Sequence, residues 1–365
     1  MRQFKITLFF VLGVWLIPSE AVAQFTETKE IQKQFKVSPE TQIEISNKYG
    51  KIELNTWDKD SVIIEIKIRV EEKKLSKLEK AIDAIDFDFN ESQHFLIVRT
   101  IVGQNKSEFE KEILKFKETV FQSGGNMNID YTVWLPASNK LKIENKFGDI
   151  FIGDFDGDVE ISLSNGNLKS HDFKGKLDLT LNFADATINT INLAYLDCNF
   201  SELYIKKAET LHVKSKSTKF EILEIKDLDA DSRRDNFRIR LVEMIEAKGS
   251  FSNFRINELT DRLDLRADYG DLDVDKIAAD FSSIFVESKS TDINLYFDEQ
   301  SEFGFEITQT KTDLNFCKEI EIVEEISLDE KEKKMELNGN FGGKSENKTK
   351  LTIKANSGEI NIFSN

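Results

Sequence analysis

The sequence has few of the residues on which metal binding and nucleophilic catalysis depend, with three His and two Cys among 365 residues. It contains no HExxH, CxxC or GxSxG motif, so neither a zinc hydrolase nor an α/β-hydrolase is indicated. Basic residues are in deficit, because 50 Lys and Arg against 66 Asp and Glu give a net charge of −16. No basic stripe is visible, which argues against binding to nucleic acid or to anionic lipid. Three Pro against 29 Phe favour a chain of many strands and few rigid kinks.

The first residues have the order of a secretory signal. Arg2 and Lys5 give a basic start, an apolar run ends at Ile17, and Ala21-Val22-Ala23 supplies the small residues that a signal peptidase requires. We predict that residues 1–23 are a signal peptide; the alternative is a buried strand or a membrane anchor. No Cys stands directly after the apolar run, so a lipid anchor is not indicated. No later apolar run is long enough to span a bilayer.

The remaining chain repeats a unit of two short β runs joined by a turn. The turn positions are Gly50, Gly148, Gly166, Ala184, Ser201, Thr218, Asp235, Ser252, Gly270, Thr291, Thr312 and Gly358. From Gly148 to Thr312 successive turns lie 17, 18 or 21 residues apart. Such a period is typical of a solenoid in which each repeat forms one rung.

An apolar residue stands two positions after each turn. These residues are Ile52, Ile150, Leu168, Ala186, Leu203, Phe220, Phe237, Phe254, Leu272, Ile293, Leu314 and Ile360. One apolar column per rung is what a solenoid interior requires, because each rung buries its inward face only against its neighbours. The sequence therefore predicts an all-β fold, a parallel β-helix-like solenoid with 17–21-residue rungs.

A second column, directly before the turn, is often aromatic. It contains Tyr49, Phe147, Phe183, Phe200, Phe251 and Tyr269. Two interpretations are open: an aromatic ladder that stacks on sugars, or an internal stack that fills the corner of each rung. We expect the internal stack. Asn47, Asn145, Asn182 and Asn199 also precede turns, and we expect them to bond locally to the backbone of the corner.

The period breaks between residues 71 and 135. Helical stripes occur at Leu75, Leu78 and Ile82 and again in residues 106–121, with a hairpin pattern between them and a strand that ends at Pro136. We expect residues 24–70 to form the first solenoid strands and residues 71–135 to form a small α+β cap on them. Residues 136–317 would continue the solenoid, and residues 318–365 would close it. A cap protects the terminal rung from pairing with another chain.

Candidate chemistry is sparse. Asp154, Asp156 and Asp158 form an acidic run in which Gly157 comes too early for a calcium loop. Residues 339–345 approach a phosphate-binding loop, but the first Gly is off by one position and a turn is the expected structure. Of His94, His171 and His212, none belongs to a motif. A basic cluster, Arg233, Arg234, Arg238 and Arg240, is expected to pair with Asp229, Asp231 and Asp235. We assign no catalytic, cofactor-binding or metal-binding residues.

The two cysteines, Cys198 and Cys317, are not expected to form a disulfide. Counting turns places six rung steps between them, roughly 29 Å at the spacing of paired strands, whereas a disulfide requires Cα atoms within about 7 Å.

Several segments resemble a known family. The signal sequence, ISNKYGKIEL, IDYTVWLPASNKLKIENKFGDI and the closing LTIKANSGEINI are similar to the putative adhesin family of unknown function, which is common among exported proteins of Bacteroidetes-type bacteria. The resemblance covers nearly the whole chain after the signal segment. It implies a right-handed, parallel β-helix-like solenoid of the cell envelope, and it supplies no site residues.

Two classes of function remain open. The first is a non-catalytic, exported envelope scaffold, periplasmic or on the cell surface, that binds a protein or a glycan along its long face. The second is a polysaccharide lyase or hydrolase built on the same solenoid, which would need acid and base groups converging in one groove. We expect the scaffold, because no catalytic signature is present.

Overall fold

The computed structural model describes residues 24–103, 126–343 and 348–365. Within these ranges the chain forms one continuous sheet of 21 strands and one α-helix. The elements are β1 (Phe25–Lys36), β2 (Gln42–Lys48), β3 (Ile52–Trp57), β4 (Ser61–Glu72), α1 (Leu75–Asp83), β5 (Ile85–Glu91), β6 (Phe95–Val102), β7 (Asn126–Pro136), β8 (Leu141–Lys146), β9 (Ile150–Ile152), β10 (Val159–Ser164), β11 (Asn167–Asn182), β12 (Asp185–Asn199), β13 (Glu202–Lys216), β14 (Lys219–Arg233), β15 (Asn236–Ser250), β16 (Asn253–Ile277), β17 (Ser283–Phe297), β18 (Phe303–Phe316), β19 (Ile320–Asp329), β20 (Lys334–Phe341) and β21 (Thr349–Ser364).

The predicted solenoid is confirmed, with parallel rungs in the register that the repeat implies. Leu203 pairs with Phe220 and Phe220 with Phe237, each 17 residues further along the chain. Of the twelve residues two positions after a turn, all are buried except Leu314, which is half-buried. Leu314 lies in a part of β18 that pairs only with β21, so one side of its rung has no strand to cover it.

The order of the rungs differs from the order of the turns in the sequence at the C-terminal end. Strand β21 lies between β17 and β18, so the Thr312 rung stacks on the Gly358 rung and not on the Thr291 rung. At the other end, β2 pairs with β8 on one side and with β6 on the other. Likewise, β3 pairs with β9 on one side and with β7 on the other. A strand inserted in this way forms a hydrogen-bonded ladder on both of its edges.

The cap over the first rung has the predicted local elements. Helix α1 buries Leu78, although Leu75 at its start is exposed. Strands β5 and β6 form the antiparallel hairpin, and β7 ends at Pro136 between β3 and the antiparallel β4. The signal segment and the helix predicted for residues 106–121 lie outside the described residues. The chain divisions near residues 71, 136 and 318 stay predictions.

The interior contains a short ladder of Phe rings. Phe220, Phe237 and Phe254 stack with ring centroids 4.6 and 4.8 Å apart and planes within 6° of parallel. Small residues lie beside them: a Cβ added to Gly249 would be 3.0 Å from the Phe254 ring. Small side chains in the neighbouring column therefore leave the volume that the three rings occupy.

Both cysteines are free, Cys198 buried and Cys317 half-buried. Because β21 is inserted between β17 and β18, the register separates their rungs by seven steps instead of the predicted six. Seven steps correspond to roughly 34 Å, far beyond the reach of a disulfide.

No helix in the described ranges is both long enough and apolar enough to cross a bilayer.

Candidate functional site

Every rung turns at a corner residue with a left-handed backbone. The corner residue directly precedes the turn position, and its φ lies between +50° and +69°. The corner residues are Tyr49, Phe147, Asn165, Phe183, Phe200, Ser217, Arg234, Phe251, Tyr269, Ser290, Lys311 and Ser357. This conformation costs a residue other than Gly about 1–2 kcal/mol. Since Ser, Asn, Lys and Arg also occupy it here, the corner geometry itself does not require an aromatic side chain.

The six aromatic corner residues point outward, so the prediction that they fill the interior is wrong. Phe183 is 62% exposed and Phe251 is 53% exposed. The left-handed corner turns the side chain away from the core, and the residue that follows it, such as Ser252, is buried in its place. The six residues together are called the aromatic ridge: Tyr49, Phe147, Phe183, Phe200, Phe251 and Tyr269.

The aromatic ridge consists of three stacked pairs. Ring centroids are 5.6 Å apart for Tyr49 with Phe147, and 4.9 Å apart both for Phe183 with Phe200 and for Phe251 with Tyr269. The ring planes are within 9° of parallel in each pair. The rings therefore lie across the long direction of the solenoid, with their edges towards solvent.

A lysine covers one outer ring face of each pair. The Nζ atom lies 5.1 Å from the Tyr49 ring for Lys48, 5.7 Å from Phe200 for Lys216 and 5.9 Å from Tyr269 for Lys289. Such contacts contribute about 0.5–1 kcal/mol at exposed sites.

The stacking also gathers basic residues beside the ridge. The residue before each corner residue forms a row, which we call the flanking row: Lys48, Lys146, Ser164, Asn182, Asn199, Lys216, Arg233, Ser250, Asp268, Lys289, Thr310 and Asn356. With the corner residues Arg234 and Lys311, the two columns hold seven basic residues and one acidic residue, Asp268. Rung-to-rung register therefore brings together basic residues that are distant in the sequence, although the flanking row has none at Ser164, Asn182 and Asn199.

The four Asn residues that precede turns fall in two different columns. Asn47 and Asn145 are buried and donate from Nδ2 to the carbonyl oxygen of Gly50, at 3.3 and 3.0 Å. The local backbone bonding predicted for these two is confirmed. Asn182 and Asn199 lie one position later, in the flanking row, half-exposed.

The Arg-rich segment does not form the ion pairs expected of it. In the described part of the chain, none of Arg233, Arg234, Arg238 and Arg240 pairs with Asp229, Asp231 or Asp235. Arg240 pairs instead with Glu224, Nη2 to Oε1 2.7 Å.

Asp235 is a buried corner carboxylate. It accepts hydrogen bonds from Ser215 Oγ at 2.7 Å and from the backbone N–H groups of Thr218 and Arg233 at 2.7 and 2.9 Å. Burial raises the pKa of this carboxyl group, although the three donors oppose the shift. Its role is to satisfy the backbone of two successive corners.

A second candidate surface lies on the outer face of β11–β14. The rings of Tyr195 and His212 stack there at 4.7 Å, and His212 Nδ1 is 3.1 Å from Asp229 Oδ2. They line a shallow depression of about 390 Å³. Lys176 Nζ lies 5.9 Å from the second face of Tyr195. Both faces of that ring are therefore in contact with the protein, and no face is open for stacking on a sugar.

The acidic run Asp154, Asp156 and Asp158 does not converge on one point. Asp154 contacts His171 at 3.6 Å and Asp156 pairs with Lys174 at 2.7 Å, while Asp158 accepts from the backbone N–H of Lys176 at 3.1 Å. Across residues 24–103, 126–343 and 348–365, no three His, Cys, Asp or Glu side chains are placed to hold a metal ion.

The glycine-rich motif of residues 339–345 lies partly outside the described residues. Gly342 and Gly343 have φ values of +82° and +83°, which is typical of a turn. His94 is exposed in the β5–β6 turn, where its carbonyl oxygen accepts from the Gln42 N–H at 2.9 Å.

Stacked parallel rungs with a common left-handed corner define the chain as a β-solenoid protein. The Toastrack DUF4097 family matches residues 23–363, and the chain belongs to that family. This match confirms the family resemblance of the sequence.

Two solved structures are similar over most of the chain. A putative cell adhesion protein from Clostridium sporogenes is 11% identical, with 92% of this chain and 100% of that chain covered and a TM-score of 0.20. A putative adhesin from Bacteroides fragilis is 12% identical, with 91% and 97% covered and a TM-score of 0.27. TM-scores this low carry no argument about the site. No curated protein matches the chain.

Proposed function

We propose that this protein is an exported, non-catalytic scaffold of the cell envelope that binds its partner, a glycan or a protein, along the aromatic ridge. One observation supports this most: five of the six rings in the three stacked aromatic pairs are exposed, at corners where Ser and Arg also fit. Aromatic residues at these corners expose apolar surface to solvent, and they do so in a left-handed backbone conformation that is unfavourable for them. Binding of a partner would cover that surface.

The order of basic, apolar and small residues in residues 1–23 supports export. Reading the N-terminus of the protein purified from envelope material tests export: a start at Gln24 agrees with it, and an intact Met1 contradicts it.

Binding is tested with the double variant Phe183→Ala and Phe200→Ala, which removes the central pair. Its matched control is Tyr195→Ala, since Tyr195 is exposed to a similar extent but lies off the ridge. Cosedimentation of residues 24–365 with envelope polysaccharide should fall for the double variant and not for Tyr195→Ala. Equal binding by all three proteins would refute the ridge as the binding surface.

The His212–Asp229 contact supports a second candidate function, a carbohydrate-active enzyme on the outer face. His212 could act as a general base that Asp229 orients. The depression is open and shallow, however, and offers little exclusion of water around a reacting bond. We expect no release of reducing ends and no unsaturated product from a panel of envelope and plant glycans. Activity that is lost in His212→Gln would establish the enzyme instead.

A further inference from the structure

The aromatic ridge is interrupted by a single rung between its first two pairs. Asn165 holds the corner position between Phe147 and Phe183, with the same left-handed φ of +56°. Its side chain is much shorter than a Phe ring. The outer parts of Phe147 and Phe183, 49% and 62% exposed, therefore face each other across an open slot.

The slot has the thickness of one ring. Neighbouring rings of the ridge are 4.9 Å apart in the Phe183–Phe200 pair. Two rung steps separate Phe147 from Phe183, about 10 Å at the usual strand spacing. A ring placed midway would lie about 5 Å from each Phe, within the range of favourable stacking.

The groups around the slot favour a sugar over an aromatic guest. The floor is the Asn165 amide, and the flanking row contributes Ser164 and Asn182 on the same side. These groups donate to and accept from hydroxyl groups. The two Phe faces would contact the C–H faces of a pyranose ring, so the slot matches both surfaces of a sugar.

The charge beside the slot favours an acidic sugar. Lys146 belongs to the flanking row next to Phe147, is exposed, and has no carboxylate within 4.0 Å in the described part of the chain. On the opposite side, Asp149 Oδ1 already accepts from the backbone N–H and from Nδ2 of Asn167, both at 2.8 Å. The Lys146 ammonium group thus remains available to a carboxylate of the ligand.

We propose that the ridge binds a linear glycan containing uronic acid, with one sugar ring held between Phe147 and Phe183 over Asn165 and its carboxylate near Lys146. This inference rests on the proposed binding function of the ridge. A nucleic acid fits less well, because the basic residues are sparse along the ridge and the whole protein carries a net charge of −16.

Titration calorimetry of residues 24–365 tests the ligand class, with hexagalacturonate, a neutral hexasaccharide of the same length and a single-stranded DNA oligonucleotide as probes. Hexagalacturonate should bind about tenfold or more tighter than the neutral sugar, as a charge-assisted hydrogen bond allows. Lys146→Gln should remove most of that difference. Equal binding of the neutral sugar, or tighter binding of DNA, would overturn the assignment.

Asn165→Phe tests the slot itself, because it fills the space with a ring that bridges the two pairs. It should raise the melting temperature and abolish hexagalacturonate binding. Ser290→Phe is the matched control: it adds a ring beside Tyr269, outside the slot, and should keep wild-type affinity. If Asn165→Phe does not fold, Phe183→Ser opens one wall with a residue that other corners already accept, and it should show the same loss.

The outcomes separate the two proposals. Wild-type affinity in Asn165→Phe or Phe183→Ser would refute the slot, while binding to envelope polysaccharide through the ridge could still be observed. If the Phe183→Ala and Phe200→Ala variant also binds envelope polysaccharide as the wild type does, the proposed function fails as well.

Discussion

The protein contains two Phe ladders that differ mainly in burial, and a matched pair of variants measures what burial contributes. Phe237 is fully buried between Phe220 and Phe254, at 4.6 and 4.8 Å. Phe200 stacks on Phe183 at 4.9 Å but is 47% exposed. Replacing either Phe by Ala removes a stacked ring, but only Phe237→Ala leaves a cavity. The cavity cannot close, because the backbone ladders hold the rungs at a fixed spacing.

Phe237→Ala should lower the free energy of unfolding by about 3–5 kcal/mol, the range for a buried Phe. Phe200→Ala should cost less, about 0.5–1.5 kcal/mol for the lost stacking, because about half of the ring is already in solvent and its removal leaves no enclosed cavity. Phe237→Asp should exceed the alanine variant, since it also buries a charge without a partner.

Urea unfolding followed by far-UV circular dichroism is the appropriate assay, because the signal reports all rungs. Tryptophan fluorescence serves as a second probe of the first rungs, where Trp57 and Trp134 lie in β3 and β7. Equal losses for Phe237→Ala and Phe200→Ala would show that the interior and exterior ladders have been assigned wrongly.

Three further results are expected. Gly148→Ala should lower the melting temperature strongly, because its Cβ would lie 1.9 Å from a backbone carbonyl oxygen of the neighbouring rung. Gly153→Ala, whose Cβ would have nothing within 4 Å, should melt like the wild type. Similar melting of the two variants would contradict the close approach at Gly148. The raised pKa of Asp235 means that the folded state binds the proton more tightly than the unfolded state, so stability relative to Asp235→Asn should fall as pH rises above about 4; a constant or rising difference in urea titrations would refute this. Thiol titration in denaturant without reductant should find two free thiols per chain, Cys198 and Cys317, and an intramolecular cross-link detected by mass would contradict the rung register.

Much of the fold could be predicted because its information is local and repeated. An apolar residue two positions after a turn is buried whichever rung lies above it, so the spacing alone located the interior of eleven rungs. Helix α1, the β5–β6 hairpin and the strand ending at Pro136 likewise depend on short-range pattern and turn chemistry.

The direction of the aromatic corner side chains, inward or outward, could not be predicted from the spacing. A residue at a corner faces inward or outward according to its φ, and the sequence carried little sign of a left-handed backbone at Phe183 or Phe200, since Phe rarely adopts it. The direction of these side chains is set by the pairing between rungs, because neighbouring rungs hold the corner residue in a conformation that Phe itself disfavours.

The sequence by itself determined the solenoid, its period and its interior column, because these follow from alternation and spacing along one chain. Only the tertiary structure decided which rung lies next to which, as the insertion of β21 between β17 and β18 demonstrates. It also decided where charge accumulates: Lys146, Lys216 and Arg233 are far apart in the sequence and share one row after stacking. Strand pairing joins residues by geometry across the stack, and a periodic sequence leaves the order of that pairing open at the ends.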